Sequence, residues 1–378
     1  MKQARQAWSR WAVTLAVAAV SLMGRGWSNS AAAANPPGPV PPDLMDRRTM
    51  AAIDRGLKYL ATTQRGDGAW LNDGSYGSYP SVMTALAGLA FMAGGSTPET
   101  GPYRTNVTKA LNYILRITEA NKDGLIAGPG AEHRSMYGHG FAMLFLAQCS
   151  GVELHKEKDK QVRQVLGRAV KVTERSQSTV AAGKWPKPCG GWYYTPESNN
   201  DEGSVTVTQL QALRACRNIG VLVDKKVIDK AVEYLRMCQM PDGGICYSAA
   251  SRGQSRPAIS AAAIACFYAA GVYDRTTGGK GSEAEMVEKL VTYVQQHVRV
   301  DNENYGHYFY THFYMAQAMY QRGGEDWKKY YPQIRDRLLS LQAPDGNWSG
   351  DGVGSTYGTA IATIILQLPY GYLPICQK

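Results

Sequence analysis

The sequence predicts an all-α protein, a closed double ring of six helical hairpins and about twelve helices. Three observations carry that reading. A helix frame first met at Arg55 returns from Lys109, Arg168, Lys230, Lys289 and Gln333, at intervals of about 44 to 62 residues. A unit that returns six times points to an array in which each copy buries its apolar face on its neighbours. Each frame helix is amphipathic and is followed, after a turn, by a helix apolar on every side, as a helix buried on every side requires. Strand signals are weak throughout, and the last inner helix, TAIATIILQLP, is as apolar as the others. An open array would end in a polar-faced cap, so closure is expected.

The chain begins outside the ring. Lys2, Arg5 and Arg10 precede an apolar run from Trp11 to Gly24 and a small-residue tract at Ala31–Ala34. That layout is a secretory signal peptide over residues 1–34, cut near Ala33 or Ala34, and an exported protein is expected. An uncleaved anchor is the alternative, although the run is short of the roughly 20 residues a span needs. Residues 35–43, NPPGPVPPD, form a proline-rich linker.

The ring is expected over residues 44–372. In the first unit a helix runs from Asp43 or Leu44 to about Thr62, because Met50, Ile53, Leu57 and Leu60 share one face. A glycine-rich turn follows, and Pro80 opens the inner helix, which closes on Gly94-Gly95. Later units repeat the pair: Lys109–Thr118 with Tyr137–Cys149, Arg168–Gln177 with Val205–Arg217, and Lys230–Gln239 with Ala258–Ala270. Glu285–His297 with Tyr308–Arg322, then Tyr331–Gln342 with Tyr357–Gln367, complete the six, leaving 373–378 as a tail.

At 378 residues, with 44% hydrophobic and 19% charged residues, the chain is long enough for one large core. Its net charge of +10 falls to +6 without the leader, and the remaining bases alternate with acids on outer helices. No basic stripe carries exposed aromatics, so nucleic acid is not an expected partner. The protein is not expected to span a membrane after cleavage. Of seven cysteines, Cys149, Cys216 and Cys266 lie in apolar helical runs and read as core. Cys189 and Cys246, in comparable turns of consecutive units, are the pair to test for a disulfide.

The segment RGLKYLATTQRGDGAW at Arg55–Trp70 resembles the repeat of the prenyltransferase and squalene-cyclase superfamily. Lys230–Ile245 and Gln333–Trp348 repeat most of it, and the resemblance covers roughly residues 44–372. It implies an (α/α)6 toroid with a central apolar cavity for an isoprenoid-like ligand, in a short exported bacterial type. The motif residues Gln64, Asp67, Trp70, Gln239, Asp242, Gln342, Asp345 and Trp348 read as structural, with Gln bridging helix ends and Trp packing between units.

Chemistry is less sharply written. Cyclases of this superfamily use an Asp-rich DxDD acid, which this sequence lacks; Asp201-Glu202, before the third inner helix, is the nearest candidate, with a helix cap as the alternative role. Protein prenyltransferases hold zinc with Asp, Cys and His, and Asp242, Cys246 and His312 match that set with altered spacing. No other cofactor is evident. His133, His139, His307 and His312 stand near inner-helix starts of units two and five, opposite each other in a six-unit ring, and could supply acid–base groups. Tyr137, Tyr308, Tyr310 and Tyr357 join His133 and His307 as candidates to face a ligand, and Tyr305, Phe309, Phe313 and Tyr314 enrich the same fifth inner helix in rings. Three functions compete: an isoprenoid-binding or terpenoid-type enzyme, a non-catalytic binding or scaffold module, and a polysaccharide-acting (α/α)6 enzyme.

Overall fold

The computed structural model describes residues 44–128, 132–152, 154–181, 189–271, 282–302 and 306–377. The expected signal peptide and linker lie outside the described residues. Twelve α-helices are present among the described residues, with isolated bridges and no sheet. They pair as α1 (Arg47–Thr63) with α2 (Pro80–Ala93), α3 (Arg104–Ala120) with α4 (Ser135–Ser150), and α5 (Lys156–Arg175) with α6 (Gly203–Asn218). Then α7 (Lys225–Cys238) pairs with α8 (Pro257–Ala269), α9 (Glu283–His297) with α10 (Tyr308–Arg322), and α11 (Gly324–Leu341) with α12 (Ser355–Gln367).

The even-numbered helices form the inner ring: α2 packs on α4, and so on round to α12, which packs back on α2. Each outer helix lies chiefly against the inner helix of the preceding unit, so α1 backs α12. The ring is closed, and the fold is an α/α toroid. Several outer helices begin earlier than hydrophobic spacing suggests, because first turns such as KEKD at Lys156 carry charge and no apolar repeat. Pro332 sits inside α11 without ending it.

The corners explain why the frame repeats. Gly68, Gly124, Gly190, Gly243 and Gly346 all take positive φ and lie against Lys109, Arg168, Lys230, Lys289 and Arg55, the frame residues of the next outer helix. A Cβ on Gly68 would stand 2.4 Å from the Lys109 carbonyl oxygen, so only glycine fits there. Gln64 donates to Gly68 O and Asn106 O (3.0 and 3.1 Å), spanning its own turn and the next helix start. Gln239 and Gln342 do the same toward Met286 and Ala52, and the last of these closes the ring. Asp67, Asp242 and Asp345 accept backbone N–H bonds within these turns. Trp70 and Trp348 are fully buried, and their indole N–H groups donate to Leu60 O and Leu338 O at 2.8 Å.

The third unit holds the same corner, unread in the sequence. Gln177 donates to Gly190 O and Val227 O, and the Trp192 indole to Thr173 O at 2.8 Å. The long insertion between Gln177 and Gly190 hides that spacing.

The expected tail is part of the toroid. Two short 3-10 turns, Leu368–Tyr370 and Pro374–Cys376, cross the face where the inner helices end. Gln148 at the end of α4 accepts from Ile375 N, while Gln321 at the end of α10 donates to Ile375 O and Gln377 O.

Candidate ligand cavity

All six inner helices point the same way, and their first turns surround a cavity of about 450 Å³ on the ring axis. Such a volume suits a small molecule, the usual range being about 300–1,000 Å³. The floor is apolar: Val82, Met83, Phe141, Ile259, Phe313 and Ile361 line it. Phe141 and Phe313, from units two and five, meet across the axis with ring centroids 6.3 Å apart. Beneath them Gln211 donates to Gln317 at 3.1 Å, a buried contact that links α6 and α10 across the ring. The hollow is a cup, not a bore.

Its mouth is set by register. The N-cap residues of the inner helices are Tyr79, Arg134, Glu202, Arg256, His307 and Gly354, and four of them, Tyr79, Arg134, Arg256 and His307, line the cavity. Tyr76, Tyr137, Ser204, Tyr247, Tyr310 and Tyr357 complete a tyrosine-rich rim. The Arg134 guanidinium lies over the Tyr194 ring at 4.4 Å, and the Tyr194 and Tyr247 hydroxyls bond to each other.

Helix starts leave N–H groups without partners, and carboxylates meet them here. Glu132 accepts from Ser81 N (2.8 Å) and Oγ (2.6 Å) in α2. Asp351 accepts from Phe309 N and Tyr310 N in α10, both at 3.0 Å, and Asp73 from Ser355 N in α12 at 2.6 Å. Glu202 accepts from Ser204 N (3.0 Å) and Val205 N (2.7 Å) of its own helix. Burial pushes Glu132, Glu202 and Asp351 above the usual carboxylate range, against the pull of those N–H groups.

Glu202 is the carboxyl tied to the rim: the Tyr137 hydroxyl lies 3.5 Å from it and bonds to Ser204, whose own hydroxyl bonds to the carboxyl. Asp201 turns away. Its oxygens accept from Ala249 N (2.6 Å) and Ala250 N (3.2 Å), pinning the next unit's turn. The two adjacent acids therefore do not form a pair acting on one ligand.

The histidines divide. His307, with left-handed φ of 50°, is exposed at the mouth, and His133 is exposed away from the cavity lining. His139 is fully buried between α4 and α5: Nδ1 accepts from Ile126 N at 3.1 Å, and Nε2 faces Ala169 O and Thr173 Oγ1. In other units the matching corner N–H groups, of Trp70, Trp192, Ile245 and Trp348, bond to Thr84, Thr206, Ser260 and Thr359. His139 thus replaces a hydroxyl of the repeat. His312 holds the same helical position in α10, buried, with Tyr330 Oη at 2.8 Å on one nitrogen and the Arg299 backbone on the other. Burial pushes His139 down to about 4 and His312 down to about 3. Neither faces the cavity, which corrects the expectation that both act there.

Tyr137, Tyr310 and Tyr357 line the cavity, whereas Tyr308 points outward and donates to Val300 O. Tyr305 lies outside the described residues. The proposed zinc set is not assembled. Asp242 accepts from Gly244 N and Ser255 Oγ, His312 is held by Tyr330, and Cys246 sits beside Cys238. Among the described residues no three His, Cys, Asp or Glu groups stand close enough to hold a metal. Cys189 bonds to Ser178 within its own turn and does not pair with Cys246.

The sequence reading missed Arg134, Arg256, Tyr79 and Asp351. The first three had a visible signal, their place directly before an apolar inner helix.

No family model matches the chain, and no curated protein matches it. Solved structures do. The type II terpene cyclase MstE from Scytonema, in its apo form, aligns over 87% of this chain and 100% of its own, at 14% identity and a TM-score of 0.56. A variant of the same cyclase, in complex with geranylgeranyl dihydroxybenzoate as substrate, aligns over 88% and 99%, at 13% identity and 0.55. The GH76A α-1,6-mannanase from Salegentibacter sp. HEL1_6 aligns over 86% and 99%, at 10% identity and 0.61. These likenesses show a shared α/α toroid.

Proposed function

We propose that the toroid takes an isoprenoid-type ligand, with its hydrocarbon end in the cup and its polar end among the rim tyrosines and arginines. The apolar floor carries this reading: burying hydrocarbon there gains roughly 25 cal/mol per Å² removed from water, while a sugar would leave hydroxyls without partners. The terpene cyclase that shares the fold binds a geranylgeranyl compound, and the repeat-like sequence at Arg55–Trp70 supports the same assignment. Glu202 is the acid we assign to any protonation in this cavity, since Tyr137 and Ser204 connect it to the wall. The DxDD acid of cyclases has no counterpart, so binding is the core of the proposal and turnover its extension. Export through the N-terminal leader belongs to the same proposal and sets where the ligand would be met.

The rim favours a second reading. Tyr76, Tyr79 and Tyr247 could stack on sugar rings, and the mannanase shares the toroid. Calorimetric titration with geranylgeraniol and with α-1,6-mannotriose separates the two. Binding of the former in the micromolar range with a negative heat-capacity change is expected; binding of the trisaccharide alone would replace this reading with the second.

A further inference from the structure

Two of the seven cysteines are placed unlike the rest. Cys238 ends α7, and Cys246 follows the corner turn of the same unit. Gln239 and Ile245 form an antiparallel bridge, flanked by Met240 N to Gly244 O (2.8 Å) and Cys246 N to Cys238 O (3.0 Å). Cys238, the last residue of α7, and Cys246 therefore flank this single bridge on opposite sides, the position in which paired strand residues have Cα atoms about 5.5 Å apart. Disulfides span Cα separations of roughly 4.4–6.8 Å. Both side chains are buried, and the Cys246 thiol donates to Ser248 O at 3.2 Å. The remaining five thiols are scattered: Cys149, Cys216 and Cys266 sit in inner helices, Cys189 in another corner and Cys376 in the tail.

We propose that Cys238 and Cys246 are an oxidation site of this chain, joined as an intramolecular disulfide by a disulfide-bearing oxidant such as oxidised glutathione or a thiol–disulfide oxidoreductase. The chemistry has a starting point. The adjacent Cys238 thiol and the neighbouring Arg252 guanidinium, itself donating to Met237 O and Gln239 O, hold the Cys246 thiol down at about 7. Burial pushes Cys238 and the other five thiols up. The Cys246 thiolate attacks one sulfur of the oxidant and expels the other as a thiolate. Cys238 then loses its proton and attacks the Cys246 sulfur of the mixed disulfide, expelling the second thiolate. Two protein thiols are oxidised, one external disulfide is reduced, and the two protons end on the released thiols. Both sulfurs are covered in the folded chain, so the oxidant reaches them through local opening of the formed corner, where Arg252 still neighbours Cys246, and the finished bond is sheltered. The bond would clamp the turn just before Tyr247, a rim residue.

Trypsin makes the test direct. Cleavage after Arg236 and Arg252 leaves both cysteines in one peptide, Met237–Arg252. The full chain is refolded in a mixture of oxidised and reduced glutathione, unfolded in iodoacetamide, digested and weighed. The expected result is that this peptide is two hydrogens lighter and unalkylated, while the other five cysteines are alkylated. Dithiothreitol restores double alkylation and lowers the unfolding midpoint of the chain. In Cys246→Ser the remaining Cys238 is alkylated. A doubly alkylated Met237–Arg252 peptide after oxidative refolding, or its linkage to any other cysteine, overturns the assignment. The wild-type mass decides the question even if the variant does not fold.

Discussion

The two ends of the ring are built from the same six helices and solve opposite problems. At the mouth the helices begin, and bare N–H groups call for acceptors; Glu132, Glu202, Asp351 and Asp73 supply them. At the base the helices end, and bare carbonyls call for donors. Gln367 donates to Ala90 O at 3.0 Å, and the crossing tail covers the rest of that face with Leu373, Ile375 and Cys376 buried. The end lined with charge stays open and the end served by neutral amides is sealed. The mouth is acidic in its supports and basic at its lip, where Arg134 and Arg256 line the cavity.

The largest expected effect comes from breaking the seal. Deleting residues 371–378 removes the buried Leu373 and Ile375, each worth about 1.5–3 kcal/mol of burial, so urea unfolding should show a loss of at least ~3 kcal/mol. If base and mouth are separable, the fraction that remains folded binds geranylgeraniol as the intact chain does. Next is the floor. Ile361→Asn places an amide without partners under the ligand, and calorimetry should show affinity falling about 10–100-fold, or ~1–3 kcal/mol.

Acidity gives the third test, with opposite signs in two regions. His139 is held down to about 4 when folded, against an ordinary value of 6.5. Its contribution is full above 6.5 and is lost as pH falls from 6.5 toward 4, at ~1.4 kcal/mol per pH unit. His139→Thr, which copies Thr84 and Thr359, should flatten that acid-side slope in urea titrations between pH 4 and 7. Glu202 is raised from its ordinary 4.5, so its contribution is full below 4.5 and is lost as pH rises through the folded value. Glu202→Gln should remove that loss, and an unchanged slope would deny the carboxyl its place in the wall. The smallest effect belongs to the outer lip: Tyr76→Ala, at a side chain 47% exposed, should move stability by less than ~0.5 kcal/mol.

The ring itself was legible because it rests on periodicity: Ile53, Leu57 and Leu60 repeat at helical steps, and the glycine corners recur at fixed places. Spacing failed where it was interrupted, as at Gln177 and Trp192. The site was harder to read for a different reason. Histidine carries a prior for chemistry, yet His139 and His312 occupy positions that other units give to Thr or Ser, and only burial reveals the substitution. Glu202 and Asp201, neighbours in sequence, diverge because one caps its own helix and the other reaches the next turn. Arg134 and Arg256 gain their meaning only once six helix starts are gathered round one axis.

The contact of Gly346 with Arg55, and of Gln342 with Ala52, has a consequence for how the polypeptide could be rewired. A wheel whose last spoke grips its first has no privileged starting point. Both α1's beginning and the crossing tail lie on the sealed face, so a short tether could join residue 377 to residue 44. New termini could then be opened at Leu222, which is 82% exposed between α6 and α7, and the permuted chain should form the same wheel with its cup intact.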